Sequence, residues 1–426
     1  YIHKKIALNS LIAEKLLAID FEKQDYQLTE SQNYIILGQK EQAMRHLMLK
    51  QFGYDHVVLD TAIINNIIKL SKRKYKLNFI VLDQQYKEII QEFNSLNQLN
   101  ELKMKLSSNV EITERTITKN DNMLNEIRDI LYFNQQKLNT MYGPFAIDEK
   151  NIICFEIVGW TTSTDITEKE KTDTWEREKN DYIERNALNI YSDYVAQIMK
   201  GKTIRYNPNT MDVFSNKLAK IYLIEKEKKE GVIENRIWGI KEEIEFATYE
   251  NINLNKNDIL LTHDSKSYTI EEILILIKKH PLVFRNKNTN LKSFTNELKY
   301  AIADLFRDMH ITNKAYLLGL VDDLDILNIE NKWSDHIKAI TLKKKFEKKS
   351  ETKKIPHISL IKKIDSLQNY YSGIIKIDTD RFENINLSKI DMNVIFLNQA
   401  YSKLEPDFPI LTNDHILDYG QKFLND

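Results

Sequence analysis

Residues that make sharp turns are scarce in this chain. Ten glycines and six prolines in 426 residues leave few positions for a positive φ or a fixed break, and a turn-punctuated all-β design needs many of both. With Lys, Glu, Ile, Leu and Asn abundant, long helices joined by polar turns are expected. The length exceeds what one ordinary core accommodates, so two or more packed units are expected as well.

Charge narrows the partners. Lys and Arg number 61 against 62 Asp and Glu, so no overall field draws the chain to nucleic acid or to an anionic surface, and a neutral partner fits better. The single cysteine, Cys154, lies in the apolar run NIICFEIV and reads as a small core residue with no disulfide partner. No run of eighteen apolar residues occurs. A leader or membrane tether upstream of Tyr1 is compatible with the sequence.

Periodicity sets the organisation. Leu8, Leu11, Ile12, Leu16 and Ile19 recur at helical spacing near the start and predict an apolar stripe whose partners are later segments of the chain. Thr29 and Gln32 form a capping box for the next helix, ESQNYIILGQKEQAMRHLMLKQF. A third helix carries Ile63, Ile64, Ile67, Ile68 and Leu70, which makes residues 1–75 a helical segment. Residues 76–163 then alternate strand and helix, from KLNFIVL to NIICFEIVGW, and predict a β-α-β-α-β unit with a mixed sheet.

Residues 164–235 read as a charged helical segment packing on the N-terminal bundle. Residues 236–426 read as a second helical module with short strands and an irregular tail. Within it, NDILLTHDSKSYTIEEILILIKKHP predicts two strands running into a helix closed by Pro281. Helices follow at 289–309, 312–320, 324–349 and 356–370, with a late strand in SGIIKIDTDRF. Both bundles run as apolar helix, polar break at Thr29 or Thr312, then amphipathic helix, which suggests an internal repeat.

Most candidate chemistry reduces to structure. None of the nine histidines has an His-x-His or His-x-x-x-His partner, so His46, His310 and His336 are expected to be structural and no metal is expected. DTDRFENINL, from Asp378, lacks the mid-loop glycine of a calcium site. No phosphate-cradling glycine loop and no Gly-x-Ser-x-Gly elbow occur, so NTPase and hydrolase readings fall away and no cofactor is expected. LKKKFEKKSETKK at 342–354 reads as a solvated helix end, and EPDFPIL at 405–411 as a surface strap over the second bundle. The 21 Tyr, 17 Phe and 4 Trp are more suggestive, since aromatic rings give large contact area in loosely specific peptide sites.

LNSLIAEKLLAID followed by a Thr-capped helix resembles the N-terminal segment of the SurA-type periplasmic chaperones, and the strand-helix unit after it resembles a degenerate parvulin domain. YTIEEILILIKKHP and LKYAIADLFRDMHITNKAYLLG are similar to the same helical module. The resemblance implies a mostly α fold with an α+β insert: helical SurA-N-like bundles plus a small parvulin-like domain. It also implies extracytoplasmic, periplasmic work on unfolded or aromatic-rich clients, among them outer-membrane or secreted proteins.

The departures bear on catalysis. Parvulins open their first strand with a histidine where this chain has Asn78, and carry a second histidine in the last strand where Ile152 or Ile153 stands. No glycine occurs between Gly53 and Gly143, so the family's glycine-rich turn is missing too. The fold is expected to persist with isomerisation weak or lost. The alternatives are a working prolyl isomerase whose cradle is lined by Met141, Phe145 and Phe155, and a structural subunit of an envelope or secretion assembly. Leu11, Leu16, Tyr191 and Tyr194 are the candidate peptide contacts.

Overall fold

The computed structural model describes residues 2–92, 98–106, 110–134, 136–148, 150–237, 254–285, 290–348, 358–386, 401 and 403–417. In chain order it begins with α1 (Ile2–Lys23), α2 (Glu30–Phe52), α3 (Thr61–Ser71), β1 (Arg73–Asp83), α4 (Tyr86–Glu92), α5 (Leu99–Lys105), β2 (Thr113–Ile117), α6 (Asn125–Tyr132), β3 (Met141–Ala146) and β4 (Asn151–Thr162). It continues with α7 (Glu168–Met199), β5 (Ile204–Tyr206), α8 (Pro208–Ile237), β6 (Ile259–His263), β7 (Lys266–Thr269), α9 (Ile270–Lys279), α10 (Phe294–Leu317), α11 (Leu324–Lys348), α12 (Ile358–Tyr371) and α13 (Thr379–Asn384). The molecule is thus mostly helical, with small antiparallel sheets.

The chain divides into two compact units. One is split, Tyr1–Lys50 with Ser192–Asp426; the other, Gln51–Tyr191, is inserted between its halves. This differs from the division read at residues 75, 163 and 235. The third helix belongs with the sheet: Asp60 caps α3 by accepting from Ala62 and Ile63 N–H, and α3 packs on α6.

In the inserted unit four strands run in the order β2-β1-β4-β3, every pair antiparallel. The expected sheet was mixed and lacked β3. The stretch MYGPFA hides its alternation because the ladder slips between Tyr142 and Phe145, around Gly143 and Pro144. Gly143 has φ +112°, and a Cβ there would stand 2.7 Å from the Ile153 carbonyl oxygen. Alternation of side chains then builds two cores. Tyr75, Leu77, Phe155 and Ile157 face α6, while Ile80, Leu82, Ile152 and Cys154 face α4 and α5.

In the split unit, the stripe on α1 buries Ala13, Leu16, Leu17 and Phe21 against Leu342 of α11 and Leu360 and Ile364 of α12. Burying each large side chain contributes roughly 1.5–3 kcal/mol. Leu411 closes this cluster from the tail, with Asn9 Nδ2 donating to the carbonyls of Asp414 and Ile416 at 2.9 Å each. The strap at 405–411 therefore lies over α1 and α11 of one unit. A second core joins β5-β6-β7 to α8, α9 and α10 through Phe214, Leu261, Ile273 and Phe306.

Two local readings change. No helix start occurs at Thr312: α10 runs unbroken to Leu317, with Thr312 buried and accepting from Arg45 Nη1 at 2.9 Å. An apolar face that continues through Ile311 and Ala315 outweighs threonine's preference for a cap, and the proposed repeat loses its second break. The helix ends instead before Gly319, at φ +74°. SGIIKIDTDRF forms no strand; Ile374 is exposed, and Asp378 caps α13 through the Arg381 N–H. Of the basic stretch at 342–354, residues through 348 are helical and the rest lie outside the described residues.

Candidate functional site

The centre of the inserted sheet is where the resemblance calls for chemistry. Asn78 on β1 lies directly across from Glu156 on β4, on the face under α5. Asn78 Nδ2 donates to Glu156 Oε1 at 3.2 Å, and Glu156 Oε2 accepts from the Leu99 N–H at 3.2 Å. Leu99 is the first residue of α5, whose N-cap residue Gln98 offers no side-chain bond, so the carboxylate from the sheet satisfies an orphan donor and meets the positive end of the helix. Glu156 is 8 % exposed and both its oxygens are engaged. This arrangement fixes a helix on a sheet; it leaves no oxygen directed at a substrate.

Neighbouring groups are equally inert. Burial pushes the Cys154 thiol up to about 12, which removes it as a nucleophile at neutral pH. Ile152 is fully buried and Ile153 partly so, on opposite faces of β4. The nearest polar side chain on this strand to Asn78 is Glu156, which the sequence reading did not single out. Its signal was present: it is the one charged residue in NIICFEIV, and a charge within an apolar run needs a partner.

The expected prolyl cradle does not assemble. Phe155 stacks on Tyr142 with centroids 5.3 Å apart and packs on Phe145 at 6.0 Å, but Met141 sits on the opposite side of the sheet with Ile80 and Leu102. The slip between Tyr142 and Phe145 puts Met141 and Phe145 on different faces. Phe155 is also covered, at 1 % exposure. The peptide contacts divide similarly. Leu16 is buried in the α1–α11–α12 core and is unavailable, whereas Leu11 is exposed. Tyr191 and Tyr194 on α7 are half-buried and fall in the inserted and split units respectively.

The split unit holds a second buried polar constellation. Glu41 of α2 ion-pairs with Lys279, accepts from His280 Nε2 at 2.7 Å and accepts from the Tyr316 hydroxyl at 3.1 Å. Burial opposes its charge, yet His280 and Lys279 hold the carboxyl below the usual carboxylate range. Burial pushes His280 the other way, below the ordinary histidine value of 6.5. The consistent state is an ionised Glu41 with a neutral His280 that donates through Nε2 and leaves Nδ1 as an acceptor. That nitrogen is buried and finds no hydrogen-bond partner among the described residues. Above the cluster, the Tyr401 hydroxyl donates to the Lys279 carbonyl across Gly38, where any Cβ would collide with both. Leu276, Leu305, Phe306 and Met309 line a small pocket beside Glu41 and His280.

No family model, curated protein or solved structure matches this chain.

Proposed function

We propose that this protein holds unfolded or extended polypeptide in the manner of a SurA-type extracytoplasmic chaperone, and that its inserted parvulin-like unit does not isomerise prolyl bonds. The observation that carries this reading is the Asn78–Glu156–Leu99 arrangement, in which the polar groups at the sheet centre are spent on packing a helix. A binding role is further supported by the turn between α10 and α11. There Leu317, Leu318 and Leu324 are 82 %, 43 % and 76 % exposed, so adjacent apolar side chains stand in water. Near-equal numbers of charges favour contacts that tolerate salt. Clients from the outer membrane or the secreted set, and a periplasmic location, follow from the resemblance alone.

Fluorescence anisotropy with a panel of aromatic-rich unfolded peptides at moderate salt tests the binding half. Micromolar affinity that weakens in a Leu317→Ser, Leu324→Ser double variant is expected, and a panel with no binder sinks the reading. A protease-coupled proline assay tests the other half. It should return the uncatalysed rate; acceleration would restore the isomerase alternative.

A further inference from the structure

Among the described residues, one group of side chains brings three metal-ligating atoms within 4.8 Å of one another: His263, Asp264 and His310. His263 ends β6, Asp264 begins the turn into β7, and His310 lies on α10, so the hairpin and the helix meet at this point. The two imidazoles face each other Nε2 to Nε2 at 2.6 Å. That approach requires exactly one proton between them, because two N–H groups or two lone pairs would repel. His263 Nδ1 lies 3.0 Å from the Thr203 carbonyl and must donate to it, which leaves His263 Nε2 as a bare lone pair. His310 Nε2 therefore carries the shared proton.

We infer that His263 Nε2, His310 Nε2 and an Asp264 carboxylate oxygen form a binding site for a divalent transition-metal ion of the Zn2+ class. The ring orientation is built as such sites require. A backbone carbonyl fixes the tautomer of His263 from the far side, and Phe306 packs on its ring at 4.6 Å. Asp264 Oδ2 lies 3.9 Å from His263 Nε2, while Oδ1 is anchored by the Thr203 N–H at 3.1 Å. Two nitrogens bound to one tetrahedral zinc stand ~3.3 Å apart, so the pair, now at 2.6 Å, has to open by only about 0.7 Å, which a small rotation of the half-exposed His310 supplies. Two imidazoles and a carboxylate suit zinc, and a water completes the set.

Binding needs His310 to change tautomer, its ring proton passing from Nε2 to Nδ1 by exchange with solvent so that the ring stays neutral, and it displaces the Lys202 ammonium, which sits 3.0 Å from Asp264 Oδ2. Lys202 thus competes with the ion. Titration calorimetry of Zn2+ into the chelator-treated full chain at pH 7 should find one stoichiometric site. His310→Ala should weaken it by about a hundredfold. Asp264→Asn keeps a residue that tolerates φ 52° and should weaken the site about tenfold, while Lys202→Met should tighten it severalfold. His56→Ala, an exposed histidine elsewhere, should change nothing. Circular dichroism checks that each variant is folded. Absence of a stoichiometric site, or equal affinity in the chain and its folded His310→Ala variant, overturns the inference. So does a Lys202→Met variant with weakened binding.

Discussion

Two buried carboxylates, Glu156 in one unit and Glu41 in the other, are neutralised differently. Glu156 in the inserted unit is met by an amide and a backbone N–H, both neutral donors fixed by the sheet ladder and the end of α5. Glu41 in the split unit is met by Lys279, His280 and Tyr316, which arrive from α9, its C-terminal cap and α10. Neutral donors hold an anion at any pH at which it stays ionised. A set that includes an imidazole depends on how many protons the partners carry. The difference separates a local structural brace from a junction tying together segments more than two hundred residues apart.

The sharpest way to break the comparison is Glu41→Ala. It leaves the half-buried Lys279 and the buried His280 without that carboxylate and removes the junction, so a loss of about 2–4 kcal/mol is expected, confined to residues 1–50 and 192–426 in native-state hydrogen exchange. Equal loss of protection in the inserted unit would erase the distinction. Glu156→Ala should cost less, about 2–3 kcal/mol, because it frees two neutral donors, and the loss should appear in the amides of α5 and β4.

Acid should separate the units next. His280 is held below 6.5 when folded and returns to that value on unfolding, so its contribution is present above pH 6.5 and is lost as pH falls below it. His310 acts in the same direction. In the inserted unit the depressed groups are the carboxylates Asp121, Asp148, Asp165 and Glu170, with ordinary values of 3.8 to 4.5, which lose their contributions only at lower pH. Urea midpoints measured between pH 7 and 5 should therefore fall for the split unit first; a parallel fall in both units would contradict the assignment. The smallest effect expected is Thr29→Ala, about 1 kcal/mol in the split unit, since it removes one arm of the exposed capping box that starts α2.

Local signals were legible and long-range ones were not. Thr29 and Gln32 marked the start of α2, and their reciprocal bonds are present at 2.9 and 3.2 Å. Thr269 and Glu272 start α9 in the same way, after the hairpin read from HDSKS. The apolar stripe of α1 was plain, but a stripe does not name its partner, and nothing near residue 16 points to Leu360. Asn78 was singled out without Glu156 because cross-strand register lies in the ladder and not in the spacing. His263 and His310 are separated by 47 residues and meet only because β6 packs beside α10, so no spacing rule finds them.

The split of one unit around the other also orders events during synthesis. Ribosomes deliver chain from the N-terminus at about 5–20 residues per second, and the stripe on α1 rests on α11 and α12. From its emergence until those helices follow, Leu16, Leu17 and Phe21 lack the surface that covers them in the finished molecule. The inserted unit, drawn from one continuous stretch, has all its strands well before that. A nascent chain stalled after residue 200 should therefore present a folded sheet beside an uncovered apolar helix, and this protein would itself need a holder at that stage.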